Sequence, residues 1–373
     1  MSFPVTVAAG QSVLIKVDRV AGPNAVLSGI FLGEGSATST PPPVPSSFFG
    51  VDNYSADQTA YAGDLQQLNT KWWEGGLTLM DKPNQTAMLA QGYHFLPTFN
   101  TGLVMREAGL TSVSASTTQA ADPTSCVDEP CTLNTSAILG EVQSVQAELG
   151  GSGNYYSVGN EVDDSFSDDV SPNVYVGQFD AWVNAIKQGD PTAKIVAPSI
   201  SSVSCCNNLT TQPWGTAGQW FASFVTDYEQ QHNGTKPPID VLAMHLYNED
   251  LTTGAASVAQ IANYVSEVQT FRQEANSLGY AGTPIWITEF GFLFPPGGPL
   301  TTTQSDEITG ALTDLEANAS SLDLQRMFAF TDDAQSTMSD GLRPLFNPNA
   351  RSSPSTPMGL TDYGQLIAGL DGG

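Results

Sequence analysis

Two glutamates that directly follow apolar, strand-like runs offer the clearest candidate chemistry in this sequence. Glu161 ends the run Tyr-Tyr-Ser-Val-Gly-Asn-Glu that begins at Tyr155, and Glu289 ends the run Pro-Ile-Trp-Ile-Thr-Glu that begins at Pro284. Two carboxyl groups can divide a reaction between a proton donor and a nucleophile or general base. Cleavage of a glycosidic bond needs this division, because one carboxyl group protonates the leaving oxygen while the other acts at the anomeric carbon.

Apolar strand runs alternate with helical patterns from residue 47 onward, which is typical of a parallel sheet. Helical spacing is clear in Tyr175, Phe179, Trp182 and Ile186, which lie three or four residues apart. The predicted strands are Phe48–Asp52, Thr70–Trp73, His94–Phe99, Tyr155–Gly159, Lys194–Ala197, Val241–His245, Ile285–Thr288 and Arg326–Phe330.

Eight strands, and no Gly-rich phosphate loop after the first, predict an α/β fold of the (β/α)₈ TIM-barrel type rather than an open doubly wound sheet. Active sites of such barrels lie at the C-terminal ends of the strands. Glu161 and Glu289 both fall there, so the fold would bring them together.

The N-terminal region differs in composition from the rest of the chain. Residues 1–34 contain three short apolar strand runs separated by turns, and residues 35–47 are rich in Ser, Thr and Pro. Such a composition stiffens a linker. We therefore predict a short β-rich appendage at 1–34, which could be the remnant of a β-sandwich module, a linker at 35–47 and a catalytic barrel over 48–373.

The charge balance restricts the expected partners. The chain has 38 Asp and Glu against 12 Lys and Arg, for a formal net charge of -26. Nucleic acids and anionic membrane surfaces are bound by clustered Lys and Arg, so neither is an expected partner. A neutral polysaccharide or oligosaccharide is compatible with this charge, whereas a polyanionic one is disfavoured. The sequence contains no run of about 18 apolar residues, so no membrane span is predicted. We also expect a monomer.

The four cysteines form two close pairs. We predict disulfides Cys126–Cys131 and Cys205–Cys206; a cross-link between the two loops and free thiols are the alternatives. Disulfides indicate an oxidising compartment. The expectation is therefore a secreted, extracellular protein. The Met-Ser-Phe-Pro start lacks the basic and apolar regions of a signal peptide, so we expect that this peptide is absent from the sequence.

Three segments together resemble clan A of the glycoside hydrolases, over about residues 47 to 335. They are Gly159-Asn160-Glu161, Ala243-Met-His245-Leu-Tyr247 and Pro284-Ile-Trp-Ile-Thr-Glu289-Phe-Gly. The combination is most similar to the endo-β-1,3-glucanases with small barrels, and β-glucuronidases and β-xylosidases share a similar Gly-Asn-Glu. The sequence departs from many clan members in reading Asn-Glu-Val instead of Asn-Glu-Pro, and in lacking a Trp in strand eight.

The resemblance implies a retaining glycoside hydrolase that acts on β-linked neutral polysaccharide, with Glu161 as general acid/base and Glu289 as nucleophile. Asn160 would donate to the sugar 2-hydroxyl and Tyr247 would hydrogen-bond Glu289. His245 would line the site, a buried core histidine being the alternative. An endo-acting β-glucanase is the expected function. The alternatives are an exo-acting β-glycosidase and a non-catalytic carbohydrate-binding or cell-surface barrel.

The remaining candidates are aromatic and acidic side chains. Tryptophans can stack on sugar faces or simply pack in the core, and the candidates for stacking are Trp73, Trp214, Trp220 and Trp286. An acidic cluster follows Glu161 and is predicted to be a solvated loop rather than a calcium site, because its spacing matches no known cage. Its members are Asp163, Asp164, Asp168 and Asp169. The histidine spacing does not indicate zinc, and no metal or other cofactor is expected.

Overall fold

The computed structural model describes residues 48–52, 61–76, 82–112, 126–165, 167–203, 214–247, 249–250, 255–256, 258–293, 299–331, 343–347 and 357–370. The chain divides between Pro43 and Val44 into two units, and the described residues belong to the second unit. The appendage predicted at 1–34 and the linker predicted at 35–47 lie outside the described residues, so both stay predictions.

Eight parallel strands close into a barrel, in which each strand pairs with its neighbours in chain order. The strands are β1 (Phe49–Asp52), β2 (Trp72–Gly76), β3 (His94–Phe99), β4 (Tyr155–Val158), β5 (Lys194–Ile200), β6 (Val241–Tyr247), β7 (Ile285–Gly291) and β8 (Leu324–Phe330). Each of the eight predicted strands overlaps one of them. The predicted (β/α)₈ barrel is therefore confirmed.

Helices surround the barrel and connect its strands. Within the described ranges they are α1 (Tyr61–Gln67), α2 (Lys82–Ala90), α3 (Gly102–Glu107), α4 (Thr135–Leu149), α5 (Pro172–Gly189), α6 (Ala217–Gln231), α7 (Val258–Ile261), α8 (Tyr264–Ser277), α9 (Thr302–Leu322) and α10 (Asp362–Leu370). Local sequence explains where several of them begin. Helix α5 has proline in its first turn, and α6 and α9 begin with capping boxes built by Thr216 with Gln219 and by Thr301 with Gln304.

Side-chain alternation along the strands separates two apolar layers. One cluster is composed of strand residues that lie inside the barrel, away from the C-terminal ends of the strands. Its buried members are Trp72, Leu96, Val196, Val241, Ala243, Trp286 and Phe328. Intervening strand residues such as Trp73 and Phe95 pack in the larger core with the helices. Because alternate residues share a face, Glu74 and Thr98 lie on the same side as Trp72 and Leu96, two residues nearer the C-terminal end. Polar side chains thus replace apolar ones toward that end of the barrel.

One of the two predicted disulfides is confirmed. Cys126 and Cys131 are bonded, with their Cα atoms 4.9 Å apart. The predicted Cys205–Cys206 pair lies outside the described residues. No helix within the described ranges combines the length and apolar character needed to span a bilayer.

Candidate active site

Three ionisable side chains converge at the C-terminal end of the barrel from positions far apart in the sequence. They are Glu161, just after β4, His245 in β6 and Glu289 in β7. The His245 Nδ1 atom lies 3.1 Å from Glu161 Oε1 and 3.6 Å from Glu289 Oε2. One oxygen of each glutamate and one ring nitrogen all lie within 4.8 Å of one another. The structure therefore brings the two predicted catalytic carboxyl groups together.

Glu289 is held by a neighbouring strand and is largely shielded from solvent. The Tyr247 hydroxyl donates a hydrogen bond of 2.7 Å to Glu289 Oε2, and the Glu289 side chain is 13% exposed. Burial raises the pKa of Glu289, and the Glu161 carboxylate adds to this, whereas His245 and the Tyr247 hydrogen bond lower it. The two neighbours on β6 thus partly offset the cost of ionising a buried carboxyl group.

His245 is fully buried and lies between the two glutamates. Burial lowers its pKa, but the carboxylates of Glu289 and Glu161 outweigh this and raise it to about 9. The two carboxylates therefore favour protonation of the ring, and its Nδ1 atom lies at hydrogen-bond distance from Glu161 Oε1. The structure places His245 against the two predicted catalytic carboxyl groups, and its complete burial leaves no ring surface for a sugar.

The loop after β4 holds Glu161 in an unusual backbone conformation. Glu161 has φ +43°, in the left-handed region that non-glycine residues seldom adopt. The preceding Gly159 has φ +92°, and a Cβ there would lie 2.4 Å from Val162 Cγ1. On the far side of Glu161, the Val162 N–H donates to the Ser199 carbonyl at 3.2 Å. Contacts on both sides therefore fix a conformation that is unfavourable by itself.

The Asn160 side chain is engaged within this same loop. Its Nδ2 donates to Ser167 Oγ at 3.1 Å, and Ser167 Oγ donates to the Asn160 carbonyl at 2.9 Å. The residue is half-buried beside the acid/base candidate. Donation from Asn160 to a sugar hydroxyl stays a prediction.

The prediction of a solvated acidic loop is wrong for two of its four aspartates. Asp163 and Asp168 are fully buried, while Asp164 and Asp169 are half-buried. The buried pair is stabilised by N–H donors, since Asp163 Oδ1 accepts from the Ser201 N–H at 2.9 Å and Asp168 accepts from two loops. Burial raises the pKa of each carboxyl group to about 7, although these hydrogen bonds lower it.

Three of the four predicted sugar-stacking tryptophans are buried in the core instead. Trp73 stacks on Phe95 with ring centroids 5.2 Å apart, and Trp286 lies in the barrel cluster. The Trp220 Nε1–H donates to the Val170 carbonyl at 2.8 Å. All three are 0% exposed, so they offer no face to a sugar. Trp214 is half-buried.

Two further carboxyl groups at this end of the barrel were not among the sequence candidates. Asp52 ends β1 and is the register partner of Glu74 in the middle of β2, and both are buried. Thr98 Oγ1 donates to Glu74 Oε1 at 3.0 Å. Burial raises the pKa of Glu74, and so does the nearby Glu289. Asp52 ends its predicted strand and Glu74 directly follows the predicted end of β2 at Trp73, so the strand-end rule could have found both.

A metal ion could in principle use the same three groups. Among the described residues, Glu161, His245 and Glu289 form the one set of three or more potential metal ligands within reach of one another. A histidine ligand must be deprotonated at the coordinating nitrogen. Because the pKa of His245 is about 9, a metal would have to displace its proton near neutral pH. The raised pKa of His245 therefore disfavours metal binding by these three groups near neutral pH.

Comparison with known proteins places the chain in a family. The family described as glycosyl hydrolase catalytic core matches residues 130–361, which include Glu161, His245 and Glu289. No curated protein matches the sequence.

Solved structures share the fold at low sequence identity. A GH128 (subgroup II) endo-β-1,3-glucanase from Pseudomonas viridiflava has a TM-score of 0.53 and 18% identity, covering 86% of this chain and 96% of its own. The corresponding enzyme from Sorangium cellulosum has a TM-score of 0.56 and 14% identity, covering 86% and 97%. A monomeric β-xylosidase from Caulobacter crescentus CB15 has a TM-score of 0.55 and 13% identity, covering 87% and 68%. At these identities the likeness concerns the fold.

Proposed function

The chain belongs to the glycosyl hydrolase catalytic-core family, and on that premise we propose that it is a retaining, endo-acting β-glucanase with Glu161 as acid/base and Glu289 as nucleophile. The observation that carries the mechanism is the approach of oxygens from the two carboxyl groups to within 4.8 Å. Retaining enzymes hold these groups about 5–5.5 Å apart, whereas inverting enzymes leave about 6.5–9.5 Å for a water molecule.

In the first step, Glu289 attacks the anomeric carbon while Glu161 donates its proton to the departing glycosidic oxygen. The C–O bond to the leaving group breaks, and a glycosyl ester with Glu289 forms. Glu161 then removes a proton from water, which attacks the anomeric carbon, releases Glu289 as a carboxylate and retains the configuration. Tyr247 and His245 stabilise the carboxylate charge that appears on alternate glutamates during the cycle.

The charges around the pair favour a neutral substrate. Asp52 and Glu74 add two buried carboxyl groups to the catalytic pair, and Asp52 acts electrostatically on both His245 and Tyr247. A uronic-acid unit would bring another negative charge into this environment, where the dielectric screening is weak. The β-1,3-glucan class is suggested by the two GH128 enzymes that share the fold over nearly their whole length. The Cys126–Cys131 disulfide supports an extracellular location.

The experiment compares the two glutamates on activated and natural substrates. Glu289→Ala should abolish hydrolysis of laminarin and aryl β-glucosides alike, and azide should restore turnover with inverted product. Glu161→Ala should lose on the order of 10²–10⁴-fold in kcat/KM on laminarin but much less in kcat/KM on a dinitrophenyl glycoside, because the first step with that leaving group needs little protonation. Reducing-sugar release from laminarin, cellulose, xylan and mannan identifies the substrate. Glu107→Ala is the control for both variants, because it removes an exposed carboxylate of α3 and should leave activity unchanged.

Two results would contradict the proposal. A purified, folded protein without activity on all four glycans would favour a carbohydrate-binding barrel. Full activity of Glu289→Ala would remove the assigned nucleophile.

A further inference from the structure

Asp168 joins the loop that carries Glu161 to the loop that follows β3. Its Oδ2 atom accepts hydrogen bonds from the Asn160 N–H at 2.8 Å, the Thr101 N–H at 2.7 Å and the Thr101 hydroxyl at 2.8 Å. Its Oδ1 atom accepts from Asn100 Nδ2 at 3.1 Å. The side chain is 0% exposed. One buried carboxyl group therefore satisfies four donors from two segments that are distant in the sequence.

The main chain of Asp168 reinforces the same connection. Its carbonyl accepts from the Leu103 N–H at 2.7 Å, and its N–H donates to the Asn160 carbonyl at 3.3 Å. Gly102 passes so close that a Cβ there would lie 1.8 Å from the Asp168 carbonyl oxygen, and its φ is +49°. The contact between the two loops therefore requires glycine at this position.

The position of Glu161 depends on the residue that these bonds fix. Asn160 immediately precedes Glu161, and its N–H and carbonyl both bond to Asp168. Glu161 itself has the left-handed φ of +43°, which costs free energy unless its surroundings hold it. Without the Asp168 carboxyl group, the Asn160 N–H loses its acceptor, and the backbone that leads into Glu161 can relax toward an ordinary conformation.

We propose that Asp168 is a positioning residue for the catalytic acid/base: it fixes the backbone at Asn160 so that the Glu161 carboxyl group stays beside His245 and within reach of the glycosidic oxygen. This inference rests on the proposed function, since it assumes that Glu161 is the proton donor. Asp168 does not touch the substrate; it acts through Glu161.

A displaced acid has a distinctive kinetic consequence. Protonation of the leaving oxygen requires hydrogen-bond distance, and a displacement of about 1 Å can cost 10²-fold in rate. A natural glucan needs this protonation, whereas a dinitrophenolate leaves without it. Loss of positioning should therefore penalise laminarin selectively, while general damage to the barrel should affect both substrates.

The test measures kcat/KM, which reports formation of the glycosyl-enzyme, on laminarin and on a dinitrophenyl β-gluco-oligosaccharide for Asp168→Ala and Asp168→Asn. Asp168→Ala should lose on the order of 10–10²-fold on laminarin and less than about threefold on the activated substrate. Asp168→Asn should lose less, because its amide oxygen can accept the three bonds made at Oδ2 while Asn100 turns its own amide to match. If the alanine variant fails to fold, the asparagine variant carries the test.

Asp190 supplies a matched control at the other end of the barrel. It is buried and accepts from the Gly153 N–H at 2.6 Å and from the N–H and hydroxyl of Thr192 at 2.9 and 2.6 Å. These donors precede β4 and β5, opposite the catalytic end. Asp190→Ala and Asp190→Asn should lower the melting temperature while leaving the ratio of the two kcat/KM values unchanged.

The outcomes separate this inference from the proposed function. Equal losses on both substrates for Asp168→Asn, or no loss in either Asp168 variant, would overturn the positioning role. The same selective loss in the Asp190 variants would also overturn it, because the effect would then be general. If Glu161→Ala itself shows no preference for the activated substrate, the proposed function fails first.

Discussion

Tyr247→Phe is the most direct test of how the site keeps the proposed nucleophile, Glu289, ionised. The substitution removes one hydroxyl group, which donates the 2.7 Å hydrogen bond to Glu289 Oε2, and leaves the ring in place. Burial raises the pKa of Glu289, and this hydrogen bond is one of two contributions that lower it. The remaining one is the interaction with His245. The pKa of Glu289 should therefore rise further in the variant.

The size of the effect follows from the type of hydrogen bond. A bond to a charged group is worth about 1.5–3 kcal/mol, and one pKa unit corresponds to about 1.4 kcal/mol. The acidic limb of the kcat/KM profile should move upward by about one to two pH units. At a pH below that limb, activity should fall roughly 10- to 100-fold, and raising the pH should recover most of it.

The assay is a kcat/KM profile from about pH 3 to 8 on laminarin and on an activated aryl glycoside. Tyr264→Phe is the matched control, because its hydroxyl is buried and donates at 2.9 Å to the Gly291 carbonyl of the same strand, β7. That control should lose stability without moving the limb. A uniform loss at every pH, or an unchanged profile in Tyr247→Phe, would refute the reasoning.

Two further predictions concern stability. Burial raises the pKa of Asp163 from 3.8 to about 7, so the folded state binds this proton more tightly than the unfolded state does. The resulting stabilisation, up to roughly 4 kcal/mol in the free energy of unfolding, is lost as the pH rises from about 4 to about 7. Thermal melts should show that decline and Asp163→Asn should make it less steep, whereas identical slopes would contradict the shift. Replacing both Cys126 and Cys131 by serine opens the short disulfide loop and should cost about 2 kcal/mol in denaturant unfolding, with wild-type protein under reducing conditions as the comparison.

The sequence predicted the barrel because its signals are local and repeated. Alternating apolar strands and helices specify parallel pairing wherever they occur, so small errors in strand bounds do not change the topology. The second strand shows the limit. Its predicted bounds, Thr70–Trp73, stop before Glu74, whereas β2 extends to Gly76, so the sequence did not show that Glu74 lies within the strand and is buried near Glu289.

The tryptophans show a different limit. Trp73 and Trp286 lie in strands, and Trp220 lies on the buried face of α6. A large aromatic ring suits sugar stacking and core packing equally well, so residue type alone does not distinguish them. Exposure distinguishes them, and it depends on which neighbours the tertiary structure supplies.

The sequence by itself predicted the fold class, favoured the Cys126–Cys131 pairing over its alternatives and indicated the two candidate catalytic carboxyl groups, because each follows from short-range patterns. Only the tertiary structure decided what surrounds those groups. It placed His245 between Glu161 and Glu289 and buried Asp168 against donors from a loop more than sixty residues away. Such contacts depend on distances between distant segments, and a local pattern carries no information about those distances until the barrel closes.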